Sequence, residues 1–259
     1  MGAKTEEWLY RLLWITEILQ RPNFRNLTES FEGWASRRGL LRQLHLLEKE
    51  QLLESLQADS LEQRIFRLTA MGRVTALGGR DPQTCWNRRW DGQWRMVIFD
   101  LPETKSSLRV RLRRFLRARH FGYLQNSVWI TPDSLEEFAA KIREFAEDVE
   151  SLMLLEARPC GGERNSSVVQ GAWEFDRINR LYREYLEILE QMAEPMDKAA
   201  ITPERVEKWF RKERALWFEA MTLDPLLPES LLPPDYIGQK AWQTRERVTK
   251  TLATRLFKA

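Results

Sequence analysis

Residues Cys85–Pro132, CWNRRWDGQWRMVIFDLPETKSSLRVRLRRFLRARHFGYLQNSVWITP, decide how this chain folds. Trp94 to Phe99 is a dense apolar run closed by Asp100-Leu101-Pro102-Glu103. A short apolar run ended by a carboxylate and a proline predicts a buried strand whose C-terminal end meets a loop. From Leu108 to Arg119 the period turns helical. Leu108, Leu112, Phe115 and Leu116 share one face, while Arg109, Arg113 and Arg117 stack on another. Phe121-Gly122-Tyr123 breaks that helix, and Gln125 to Thr131 predicts a returning strand.

Downstream, Asp133 or Ser134 can cap a helix from Leu135 to Glu147, with Leu135, Phe138, Ala139, Ile142 and Phe145 inward, and Ser151–Glu156 predicts a last strand. Strand, helix, strand, helix, strand fits a ferredoxin-like α/β sandwich. That architecture needs a fourth strand. Tyr123–Thr131 has room for two, and another segment could supply it instead.

Upstream, the spacing predicts an amphipathic helix over Thr5–Gln20, with Trp8, Leu9, Leu12, Leu13 and Leu19 apolar and Pro22 ending it. Thr28 can cap a short helix, Glu29–Glu32, closed by Gly33-Trp34-Ala35, and Ser36 can cap a third from Arg37 to about Glu50. Leu40, Leu44 and Leu47 fall on the inner face of that third helix, and Arg38, Arg42, His45 and Lys49 on the outer. Two short helices joined by a tight turn form the helix-turn-helix pattern. A strand then leads out, Ala58-Asp59-Ser60 can turn, Arg64–Leu68 returns, and Thr69 caps a short helix beginning at Ala70. This is the layout of a winged helix, with Gln51 standing where a glycine is usual before the wing.

Gly78-Gly79-Arg80-Asp81-Pro82 reads as a linker, and Arg158–Gly171 as a second. Beyond it the pattern is helical. Trp173, Leu181, Tyr185 and Leu189 mark a helix over Trp173–Met192, and Thr202-Pro203-Glu204 opens another running to about Met221. A proline-rich irregular segment, Asp224–Asp235, precedes a last amphipathic helix, Gly238–Phe257. The expected organisation is α+β: a winged helix over 1–79, a ferredoxin-like domain over 86–158 and a helical domain over 172–259.

Hydrophobic residues at 43% and charged residues at 31% suit a globular protein rather than a disordered one. No window approaches a membrane span, and the first residues lack the apolar core of a signal peptide. Two cysteines, Cys85 and Cys160, argue against a disulfide framework and for a cytoplasmic location, and read most simply as buried thiols. His45 and His120 lie far apart, so neither a structural zinc site nor another cofactor is expected. A net charge of +3 is too small to identify a partner, so the clustering of the arginines decides.

Several stretches together resemble the PaaX-type transcriptional regulators, repressors of phenylacetate catabolism. They are Trp90-Asp91-Gly92-x-Trp94-Arg95-x-Val97-x-Phe99-Asp100-Leu101-Pro102-Glu103, Arg109-x-Arg111-Leu112-Arg113, Phe121-Gly122-x-Leu124-Gln125-x-Ser127-Val128-Trp129-Ile130-x-Pro132 and Asp224-Pro225-x-Leu227-Pro228-x-x-Leu231-Leu232-Pro233. The resemblance implies a winged helix, a central domain similar to the CRISPR adaptation nucleases, and a helical C-terminal domain. It also implies a homodimer that binds palindromic double-stranded DNA and releases it on binding an aryl-acetyl-CoA thioester.

The residues and the resemblance together make Arg38, Arg42 and His45 the expected readers of base edges or backbone, with Arg37, Gln43, Lys49 and Arg64 on phosphates. The bland alternative is a solvated basic face. The six arginines between Leu108 and Arg119 could line a DNA phosphate path, bind the phosphates of a CoA-type effector or salt-bridge across a dimer, and structural or interfacial use is the favoured reading. Asp100 takes the place of the metal-binding aspartate of the adaptation nucleases, which makes a metal-dependent nuclease the alternative function. A loop-capping carboxylate is the simpler reading, and no enzymatic activity is expected. Trp90, Trp94, Trp129 and Trp173 read as packing residues.

Overall fold

A computed structural model of the chain describes residues 1–18, 40–57, 64–100, 106–144, 151–194 and 203–257. These fall into two compact units. One takes residues 1–81, 182–218 and 238–259, the other residues 82–181 and 219–237. The expected short helix Glu29–Glu32, the caps Thr28 and Ser36, the wing turn and Phe145 lie outside the described residues.

In the first unit, α1 (Ala3–Ile18) buries Trp8, Leu9, Leu12 and Leu13, the stripe its spacing requires. Helix α2 (Leu41–Lys49) follows, then β1 (Leu53–Gln57) and β2 (Arg64–Leu68), which pair antiparallel with Leu53 opposite Leu68. Helix α3 (Ala70–Ala76) ends at Gly78 and Gly79, both at positive φ, 99° and 84°, where glycine is the low-cost residue.

The second unit opens with α4 (Pro82–Asn87), a short helix that starts on the last residue of the expected linker Gly78–Pro82. Proline at its first position begins it, and burial of Pro82 and Trp86 holds it. Then come β3 (Trp94–Asp100), α5 (Ser106–Arg117), β4 (Gly122–Gln125), β5 (Val128–Thr131), α6 (Glu136–Glu144) and β6 (Ser151–Ala157). Gln125–Thr131 is therefore not one strand. Asn126, in the left-handed region at φ 46°, turns the chain with Ser127, and the fourth strand comes from this hairpin. The sheet runs β4-β5-β3-β6 with every neighbour antiparallel.

The core lies between one sheet face and α5 and α6. Val97, Phe99 and Trp129 meet Leu108, Leu112, Leu116, Phe121 and Ile142 there. On the opposite face Met153 and Leu155 of β6 stand 48% and 44% exposed, beside Ile98 and Met96 of β3. Ser134 caps α6 by accepting from the Glu136 N–H at 3.2 Å, while the other candidate cap, Asp133, is held by Arg88 at 2.7 Å.

The second expected linker also holds a helix, α7 (Asn165–Ala172). Its sequence, NSSVVQGA, has too few apolar residues to show a period. What seats it is tertiary. Val169 and Ala172 are buried, and the Trp94 indole N–H donates to Asn165 Oδ1 at 2.9 Å. Gly122 lies so close beneath that an added Cβ would sit 2.6 Å from the Ala172 Cβ. Trp94, Trp129 and Trp173 are buried, as packing residues should be. Cys85 is half-buried and Cys160 is exposed beside the turn at Gly161-Gly162, so the reading of both as buried thiols does not hold.

Helices α8 (Phe175–Ala193), α9 (Pro203–Leu223) and α10 (Gly238–Phe257) follow, with a 3-10 turn at Glu229–Leu231 between the last two. From Tyr182 in α8, up to Phe218 in α9 and throughout α10 they belong to the first unit, where α1 packs along α10. No helix among the described residues is long and apolar enough to cross a membrane.

Candidate nucleic-acid interface

Helix α2 divides its residues sharply. Leu44 and Leu47 have no exposed surface, while Arg42, His45 and Lys49 are exposed. Arg42 and Lys49 make no ion pair among the described residues. His45 Nδ1 lies 3.5 Å from Glu48 Oε2 one turn on. Gln43 is half-buried, with its Oε1 turned inward and without a hydrogen bond. Three of the seven expected DNA-contact residues therefore share the outer face of α2, and Gln43 stands at its margin. Arg37 and Arg38 lie outside the described residues. Arg64 opens β2, and its side chain is likewise outside them.

The turn from α2 into the hairpin is held by specific bonds. Gln51 takes φ 57°, a conformation glycine adopts more cheaply, in the place where the sequence lacks the usual glycine. Thr69 compensates. Its hydroxyl donates to the Gln51 carbonyl at 2.8 Å and accepts from the Gly72 N–H at 2.9 Å, capping α3, and its N–H donates to the Leu52 carbonyl at 3.1 Å. Gly72 presses on the same carbonyl: a Cβ there would lie 2.1 Å from Leu52 O. Across the hairpin Glu54 and Arg67 are directly opposed and ion-paired, so the Arg67 charge is shared.

Asp100 ends β3, exposed and opposite Ser151, with no ion pair among the described residues; Glu103 lies outside them. No group of three or more His, Cys, Asp or Glu side chains that could hold a metal ion occurs among the described residues.

Arginine use in the second unit is mixed. Asp91 and Glu156 flank Arg95 at 2.6 and 3.3 Å, and the hydrogen bond from Arg95 holds the Asp91 carboxyl down at about 2. Arg113 of α5 donates to the Asn126 carbonyl at 3.2 Å, bracing the β4–β5 turn. Arg117 lies over Trp129 at 5.8 Å, and Arg119 over Phe115 at 4.4 Å and Phe138 at 5.4 Å.

Two family descriptions fit this chain. Residues 87–169 match the PaaX protein central Cas2-like domain, and residues 173–257 match the PaaX-like protein C-terminal domain. This chain belongs to the PaaX family. The two matched segments run from the end of α4 through α10, and membership points to a family of transcriptional regulators. No curated protein matches the chain. Among solved structures it is similar to the uncharacterized protein Rv0674 from Mycobacterium tuberculosis. Identity is 21%, coverage is 93% of this chain and 95% of that one, and the TM-score of 0.53 shows a shared fold.

One constellation in this PaaX-family chain escaped the sequence reading. Glu213 of α9 and Arg245 of α10 are fully buried, 3.1 Å apart. Tyr10 of α1 donates to both Glu213 oxygens, at 2.9 and 2.8 Å, and Tyr185 of α8 donates to one at 2.6 Å. The Arg245 guanidinium lies among Tyr10, Trp217 and Trp242, 5.5 to 5.9 Å from their ring centres. Burial, followed by the Glu213 charge, pushes both tyrosine hydroxyls well above their ordinary value near 10. The signal was present in the chain. Glu213 falls on the stripe Trp209, Phe210, Trp217, and Arg245 on the stripe Ala241, Trp242, Val248. A charge on the apolar side of each of two helices is the mark of a buried pair.

Proposed function

We propose that the chain is a DNA-binding transcriptional regulator, a homodimeric repressor released by a small effector such as an aryl-acyl-CoA. The observation that carries this reading is the outer face of α2. There Arg42, His45 and Lys49 stand exposed over a fully buried Leu44 and Leu47, with a two-stranded hairpin directly after, in a PaaX-family chain. Read as a winged helix, α2 enters the major groove, where Arg42 can bond a guanine edge bidentately, and the hairpin lies along the backbone. Arg37, Arg38, Gln43 and Arg64 belong to the same proposed surface. Residues 1–79, 86–158 and 172–259 then serve as a DNA-binding, a ferredoxin-like and a helical module. The strand order β4-β5-β3-β6 around two helices supports the second of these.

A dimer suits an operator with two half-sites about 34 Å apart, and effector binding favours an arrangement that no longer matches that spacing. The uncharged row Met96, Ile98, Met153 and Leu155 on the open sheet face gives such a dimer an apolar surface to bury. The test is affinity for the upstream region of the chain's own gene over a salt series, for the wild type and Arg42→Ala. A steep salt slope with sequence preference, weakened by about 1 to 3 kcal/mol in the variant, is expected. No binding at low salt overturns the reading.

A further inference from the structure

We infer that the solvent face of α5 is a second nucleic-acid surface, one that grips the sugar–phosphate backbone of duplex DNA. The inference rests on the regulator reading above and assigns it a contact outside the winged helix. Ser106–Arg117 holds Arg109, Arg111, Arg113, Arg114 and Arg117 and no acid, and Arg119 follows in the next turn. Leu108, Leu112 and Leu116 fix the inner face against the sheet, which turns Arg111, Arg114 and Arg117 outward, all exposed.

These arginines repel one another. Arg109 and Arg113, and Arg113 and Arg117, stand one turn apart, as do Arg111 and Arg114, and Arg114 and Arg117; like charges at that spacing weaken a helix. Arg109 and Arg111 have interaction partners of their own. Arg113 bonds a carbonyl, while Arg117 and Arg119 lie on aromatic rings. Arg114 has no partner among the described residues. A carbonyl and a ring face orient a guanidinium without neutralising it, and leave in-plane N–H donors for an anion. On Arg113, Arg114, Arg117 and Arg119 the charge is therefore kept and aimed, rather than merely solvated.

The shape selects the ligand. Arg109 to Arg117 spans about 12 Å along a helix. It is a solvent-facing helix surface rather than the concave pocket that small ligands need. A row of cations that long matches a strand of phosphates, and it carries no base-reading geometry, so the contact is blind to sequence.

The experiment uses the full chain, a short duplex of arbitrary sequence, and the variants R114Q, R117Q and their combination, with R114K as the charge-keeping control. The slope of log affinity against log salt should fall by about 1 for each charge removed and stay unchanged in R114K. Exposed Arg114 tests the surface without disturbing the core. The result that overturns the inference is an unchanged slope in R114Q/R117Q; if Arg42→Ala still weakens operator binding, the regulator reading survives that failure. Displacement of the duplex from the wild type, but not from R114Q/R117Q, by free coenzyme A or inorganic triphosphate also overturns it, because the strip would then serve a small polyphosphate. Loss of slope in R114Q/R117Q with no effect of Arg42→Ala supports the α5 surface and counts against α2.

Discussion

Replacing Arg245 by alanine should destabilise the first unit far more than an exposed ion pair would. In the folded chain both Glu213 and Arg245 are out of solvent, so the variant leaves a carboxylate buried without its cation. Removing one partner of a buried pair costs about 3–5 kcal/mol, against less than about 1 kcal/mol for a surface pair. The arginine also fills the space between Tyr10, Trp217 and Trp242, so lost packing adds to the cost. With a urea slope of about 3 kcal/mol/M, the unfolding midpoint should fall by about 1 to 2 M. Trp217 and Trp242 flank the site and make tryptophan fluorescence the natural probe. The second unit should keep its own midpoint where the two transitions separate. The pair Glu213→Gln with Arg245→Met should stand closer to wild type, since the amide still accepts from Tyr10 and Tyr185 and no charge is stranded. A midpoint shift under about 0.3 M for Arg245→Ala, worth about 1 kcal/mol, would refute the claim that this pair is sealed from water.

Gly72→Ala sets a helix-propensity gain of about 1 kcal/mol against a Cβ 2.1 Å from the Leu52 carbonyl. The clash is with backbone and must win, costing about 1–3 kcal/mol net, read by thermal unfolding. Thr69→Ala should cost about 1 kcal/mol by the same assay through loss of the α3 cap. Tyr10 and Tyr185 have folded-state values raised above the unfolded one, so their contribution is whole below pH 10 and is lost as pH rises beyond it. Tyr10→Phe should therefore flatten the alkaline limb of the stability profile. Asp91, bonded by Arg95, and Glu207 of α9, bonded by Arg11 and Arg211, are both held down at about 2, so their contribution is present above the ordinary carboxylate range and fades as pH falls toward 2; Asp91→Asn should shrink that acid limb.

The sequence by itself determined the elements whose burial is periodic. The stripe of α1, the split of α2 into Leu44 and Leu47 within and Arg42 and Lys49 without, a strand leading out of α2 and returning over Arg64–Leu68, and the bounds of α10 all follow from spacing and turn residues. These are local decisions, made by residues three, four or two apart. What only the tertiary structure decided depends on partners distant in the chain. Helix α7 exists in a stretch without apolar period because Trp94 and Gly122 give it a seat. The β4–β5 hairpin needs both edges of one short run to find pairing partners. Glu213 and Arg245 read as ordinary helix charges until α1, α8, α9 and α10 bring them together. A buried charge is affordable only when its counter-charge arrives with it, and that meeting is a property of the packed molecule, not of any window of the chain.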